Sequence, residues 1–208
     1  MKLIFDIGAN VGKTVDFFKN KSEKVVCFEA NPKLVSFLKN KYNNTNVIVD
    51  NRGLSDKIEI KTFKISNADT ISTFSDDWIN KSRFTGNYVW NEYVDVNTTT
   101  LDNIIDEYGV PDFIKIDVEG YEYEVILGLT KLLDNTIFSF EWAEEEHERI
   151  LKTVNYLIDL GYNNYGYTIF DDPSLGENIE WDTWENLLWH NDINQNRKEK
   201  WGMIYFKK

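Results

Sequence analysis

Short apolar runs and amphipathic stretches alternate along the first fifty residues, and that alternation predicts a parallel α/β sheet. Residues 2–7 form a compact apolar run stopped by Gly8, the pattern of a strand buried on both faces. Residues 13–20 then carry Val15 and Phe18 at helical spacing. A second β-rich run covers residues 24–29, followed by Asn31 and Pro32 where an N-cap and a first helical residue belong. Leu34, Phe37, Leu38 and Tyr42 would line one helix face, and residues 47–49 supply a third strand. Parallel neighbours need crossover helices between them, so ligands of such a sheet are expected outside the C-terminal ends of its strands.

The pattern then changes. Residues 57–65 alternate through Ile58, Ile60 and Thr62 before Phe63 and Ile65 break the phase, which predicts an exposed-edge strand or hairpin. Residues 66–93 have weak periodicity and many small polar residues, and read as a lid or substrate loop. A strand at 93–99, a short helix at 101–108 and a core strand at 113–117 follow, the last ending on a carboxylate. A helix over 121–133 with Val125, Leu129 and Leu132 inward, a strand at 137–142 and a strongly periodic helix over 147–160 continue the alternation, with Gly161 placed to end that helix. Residues 162–170 and 201–206 complete the β content around a tryptophan-rich segment, 171–200, the second expected substrate-side loop. No repeat interrupts residues 1–208, which read as one domain.

Composition narrows the partners. The 208 residues carry a formal net charge of -12, from 35 acidic and 23 basic side chains, the wrong sign for tracking a nucleic-acid backbone. No apolar run nears the roughly 20 residues of a membrane span, so no membrane insertion is expected. The single cysteine, Cys27, lies in an apolar run and suits a reducing compartment; without a leader-like start, a cytoplasmic location is expected.

Two constellations carry chemistry. The first is Asp6-x-Gly8-x-Asn10-x-Gly12 at a strand-to-helix turn, where glycines let a ligand approach the backbone and a helix start offers free N–H groups. A dinucleotide fingerprint would want glycine at Asn10 and Lys13, which weighs against a nicotinamide-dependent oxidoreductase. Gly12-Lys13-Thr14 lacks the earlier glycine of a phosphate-binding loop, and Asp6 would repel pyrophosphate. Glu29, about 20 residues on at the end of the second strand, is placed to accept both hydroxyls of a ribose.

The second constellation runs from Ile114 to Glu122 and puts Asp117 and Glu119 at the mouth of the sheet, near a cofactor lying across the first strands. One of them would serve as general base toward an alcohol; alternatively the pair would hold a divalent cation that acidifies it. The residues leave both open. Glu122 reads simply as an acid favouring a helix start.

FDIGANVGKT, CFEANP, TTTLDNII and IKIDVEGYEYEVILGL, spread in order from residue 3 to roughly residue 142, resemble the FkbM family of S-adenosylmethionine-dependent methyltransferases. The resemblance implies a class I methyltransferase fold, a Rossmann-like and mostly parallel sheet flanked by helices, and O-methyl transfer onto hydroxyls of sugars or polyketide-like molecules. On it, Asp6, Gly8, Asn10, Gly12, Glu29 and Asn31 match cofactor-binding positions, and Asp117 and Glu119 match the acidic site motif, with Asp117 beside the cofactor as well.

Further candidates come from the residues alone. His147 follows a run of glutamates and is a possible base or metal ligand; His190 sits in the tryptophan-rich segment. Tyr88, Trp90, Trp181, Trp184 and Trp189 are candidate platforms for sugar faces, or else core and interface residues. The leading expectation is an O-methyltransferase with a glycan or small-molecule acceptor. A non-catalytic glycan- or partner-binding module of the same fold is the alternative.

Overall fold

The computed structural model describes residues 1–170, 175–187 and 201–208. The chain opens with β1 (Leu3–Ile7), α1 (Lys13–Phe18), β2 (Lys24–Phe28), α2 (Pro32–Lys41) and β3 (Val47–Asp50). An excursion follows: β4 (Gly53–Leu54), β5 (Ile60–Ser66), α3 (Asp76–Lys81) and β6 (Trp90–Thr99). Next come α4 (Leu101–Tyr108), β7 (Phe113–Ile116), α5 (Glu122–Leu127), β8 (Ile137–Ala143), α6 (His147–Leu160), β9 (Asn164–Ile169) and β10 (Trp201–Lys207). No helix among the described residues is long and apolar enough to cross a membrane.

The main sheet has seven strands in the order β3-β2-β1-β7-β8-β10-β9. The first five are parallel to their neighbours, while β10 lies antiparallel between β8 and β9. All five residues of β1 and all four of β7 are buried, as the continuous apolar runs predict for strands covered on both faces. Ile4, Val25 and Cys27 meet Val15, Phe18, Leu38 and Tyr42 on one side; Phe5, Ile7 and Ile114 meet Ile104, Val125 and Leu129 on the other. Asn31 caps α2 as expected: its side chain accepts a hydrogen bond from Lys33 N at 3.1 Å, with Pro32 at the first helical position. Gly161 ends α6 in the left-handed conformation, φ 101°.

Two segments differ from the sequence expectation. Residues 66–93 are ordered around a buried aromatic nucleus and are no simple loop. A 3-10 turn at Asp69–Ile71 leads to α3, and β6 already begins at Trp90. Trp78 is 1% exposed and clusters with Ile71, Trp90 and Ala143, while the Trp90 indole donates to Ile71 O at 2.8 Å. The elements are too short to show a period, so their apolar residues look scattered in sequence. β5 pairs with β6 antiparallel, which gives the expected hairpin partner, and β4 adds a short parallel edge that sequence did not reveal.

The helix expected over 121–133 ends at Leu127. Gly128 passes so close to the neighbouring chain that a Cβ there would lie 2.5 Å from Ser55 O, and its carbonyl accepts from Asp102 N at 3.0 Å. Leu129 stays wholly buried beyond the helix, so the apolar period persisted where the helix did not.

Candidate active site

β1 and β7 lie side by side while the chain passes from β1 outward to β2, so the sheet's order reverses here and a crevice opens outside the strand ends. The first turn occupies that crevice. Gly8, Asn10 and Gly12 take φ values of 85°, 50° and 77°, and the N–H groups of Gly8 and Ala9 both donate to Phe28 O at 3.0 Å. A Cβ on Gly8 would sit 1.8 Å from Asp117 O, so only glycine lets the turn after β1 nest against the turn after β7. Gly12 is held from the other side by Tyr42, whose hydroxyl donates to Gly12 O at 2.7 Å.

Glu29 ties this turn to the next one. Its carboxylate accepts from Asn10 N at 2.7 Å and from Asn31 N at 2.8 Å, one bond on each oxygen. Burial pushes its pKa above the ordinary value against the pull of those backbone donors. Each oxygen keeps a further lone pair for a ligand hydroxyl.

A cavity of about 250 Å³ lies over these turns. Gly8, Asn10, Glu29, Asp117 and Glu119 all line it, as do Lys115 and, from the excursion, Asp69, Thr70 and Ser72. Gly12 does not line it but shapes its turn. Asp6 and Asn31 are wholly buried and lie off the lining: Asp6 pairs in register with Cys27 and Lys115 inside the sheet, and Asn31 serves as the α2 cap. His147 opens α6 and faces a different depression with Asp77, Trp78 and Lys81.

Carboxyl groups gather at the far side of the cavity. Asp117 accepts from Lys115 Nζ at 2.7 Å. Glu122, first residue of α5, accepts from Val118 N at 2.8 Å, so it closes the turn as well as favouring the helix start. Glu141 reaches in from β8, and oxygens of Asp117, Glu122 and Glu141 all lie within 4.8 Å of one another. Glu119 holds a left-handed φ of 57°, followed by Gly120 at 78°, with its carbonyl fixed by the Thr73 hydroxyl at 2.7 Å. Burial raises the pKa of Glu122 to about 8, helped by the charge of Glu146. Burial, then the charge of Asp117, likewise drives Glu119 and Glu141 well above the carboxylate range.

A second chamber of about 270 Å³ adjoins the first and shares Thr70, Asp117 and Glu119 with it. Arg83, Phe84, Tyr88, Glu141 and Trp201 line its remaining walls. Of the aromatic candidates among the described residues, Tyr88 alone takes part. Trp90 is core, and Trp184 is buried against Tyr165 with ring centroids 5.6 Å apart. Trp181 lies under Lys207, whose Nζ is 4.1 Å from the ring centroid. Trp189 and His190 lie outside the described residues. Glu141, Arg83 and Trp201 were missed in the sequence. Glu141 had a legible signal, since it stands near the C-terminal end of a core strand just as Asp117 does; Arg83 and Trp201 had none.

Residues 6–169 match the family model described as Methyltransferase FkbM domain. No curated protein sequence matches the chain. Among solved structures, methyltransferase FkbM from Methylobacillus flagellatus superposes with a TM-score of 0.56 at 16% identity, over 99% of this chain and 43% of that one. The precorrin 8w decarboxylase of Methanobacterium thermoautotrophicum superposes with a TM-score of 0.50 at 12% identity, over 100% of this chain and 82% of that one. At such identities the likeness concerns the fold, and this chain spans less than half the length of the Methylobacillus protein.

Proposed function

The chain belongs to the FkbM methyltransferase family, and from that premise we propose that it transfers a methyl group from S-adenosylmethionine to a hydroxyl of a sugar or glycan. The observation that carries this reading is the meeting of two chambers at Asp117 and Glu119, one beside Gly8 and Glu29 and one beside Glu141 and Tyr88. The residues present suit the cofactor. A glycine cradle that a Cβ would fill lies beside a carboxylate with lone pairs to spare, and acids stand where a sulfonium cation would need them.

When bound, S-adenosylmethionine supplies an electrophilic methyl group on a positively charged sulfur. Glu29 would accept the ribose hydroxyls, its orientation already fixed by two backbone N–H groups. Asp117 and Glu119, which line both chambers, would orient the acceptor hydroxyl and take its proton as the oxygen bonds the methyl carbon and the carbon–sulfur bond breaks. Burial raises the pKa of Glu119, so its ionised form holds a proton more firmly than an ordinary carboxylate. Asp69, Thr70 and Ser72 from the excursion cover the cofactor side and would keep water away from the methyl group.

Calorimetric titration with S-adenosylmethionine and S-adenosylhomocysteine is the first test, and binding of neither would sink the proposal. Transfer of labelled methyl into a panel of sugars and glycans is the second. Binding without transfer to any hydroxyl would favour a binding module. Transfer that ceases with EDTA and returns with a divalent ion would assign Asp117, Glu122 and Glu141 to a cation.

A further inference from the structure

Glu141 has an unusual position. Its side chain is 10% exposed, lines the second chamber and not the first, and accepts no hydrogen bond from any described residue. The cation closest to it, Arg83, lies 3.9 Å away, beyond hydrogen-bonding distance. Arg83 is committed elsewhere: its guanidinium is 3.1 Å from Glu145, its backbone N–H donates to the same oxygen at 3.0 Å, and its charge sits 4.8 Å over the ring of Phe84. Lys115, the other nearby cation, is bound to Asp117 at 2.7 Å. Among the described residues, the groups around Glu141 are thus Asp117, Glu119 and Glu122 on the acidic side, against Arg83 and Lys115, each paired with another acid.

An acceptor bearing a carboxylate or phosphate would enter this cluster of acids at a cost, and a neutral polyol would bring Glu141 no charge-assisted hydrogen bond. A cation would satisfy it. The rest of the wall suits one too: Tyr88, 39% exposed, and Trp201 offer aromatic faces, against which an alkylammonium is held by cation–π attraction.

We propose that the second chamber is the acceptor site and selects a hydroxyl compound that carries an ammonium group, of the amino-sugar class, with Glu141 as its counter-charge and Tyr88 and Trp201 as its platform. This assignment rests on the methyl-transfer reading and specifies its substrate.

The test titrates D-glucosamine, D-glucose and D-glucuronate in turn into the full chain saturated with S-adenosylhomocysteine, at pH 7 in a buffer without amines. D-glucosamine is expected to bind about tenfold tighter than D-glucose, the sum of one ion pair and one cation–π contact. D-glucuronate should be weakest. Glu141→Gln should abolish the preference for D-glucosamine. Tyr88→Ala, at a site 39% exposed, should weaken D-glucosamine alone. Equal binding of D-glucosamine and D-glucose, tightest binding of D-glucuronate, or no binding of any of the three overturns the proposal. The preceding titration with S-adenosylhomocysteine reports separately on the methyl-transfer reading, and the sugars are read on the free protein if it fails.

Discussion

Glu122 offers a direct measure of what the buried acids cost the fold. Its pKa is raised from the ordinary 4.5 to about 8, chiefly by burial and next by Glu146. Below pH 4.5 the carboxyl is protonated in both folded and unfolded chains. Between there and pH 8 the unfolded chain has lost its proton while the folded one keeps it, so the unfolded state binds fewer protons and stability falls as pH rises. Each pH unit in that window removes somewhat over 1 kcal/mol, so roughly 5 kcal/mol is the ceiling for this one group, shared with Glu119, Glu141 and Glu146. Glu122→Gln keeps an oxygen for Val118 N and removes the titration. Urea unfolding at pH 5 and pH 8 should show the wild type markedly weaker at the higher pH and the variant losing clearly less, since Glu119, Glu141 and Glu146 still titrate in it. Parallel losses in the two proteins would refute the reasoning, because the pH dependence would then arise elsewhere.

Other consequences follow from the same geometry. Gly8→Ala places a Cβ 1.8 Å from Asp117 O on a residue with φ 85°, and should abolish S-adenosylhomocysteine binding by calorimetry while costing about 3 kcal/mol of stability. Asn31→Ala removes the α2 cap and should lower stability by about 1 kcal/mol in thermal melts, at the cofactor cavity's edge but not in its lining. Glu119→Gln should slow labelled methyl transfer about a hundredfold or more while leaving cofactor affinity within a fewfold of wild type. His147→Ala, in a depression apart from both chambers, should leave kcat unchanged; a large loss would place it in the chemistry after all.

The sheet and the cofactor side were legible because their signals are local. A strand buried on both faces writes a continuous apolar run, a left-handed turn asks for Gly8 and Gly12, and a cap writes Asn31-Pro32. The second chamber was legible only in part, since its walls come from places distant in sequence: Thr70 and Tyr88 from the excursion, Glu141 from β8, Trp201 from β10. No period or spacing joins them; the topology does. Asp6 and Asn31 show the converse limit. Their motif marks turns beside the first cavity, yet one lies inside the sheet and the other spends its side-chain oxygen on a helix start, so a motif position need not line the cavity it sits beside.

The placement of β10 between β8 and β9 has a consequence for how the protein is made. Every described residue lining the first cavity precedes residue 120, whereas the second chamber includes Trp201. As the chain leaves the ribosome from its N-terminus, these parts of the first cavity are present long before Trp201 exists. β10 then pairs antiparallel with both β8 and β9, burying Met203 to Phe206. A nascent or truncated chain lacking that strand would have every described residue of the first cavity's lining, while the chamber proposed to take the acceptor is the last to be completed.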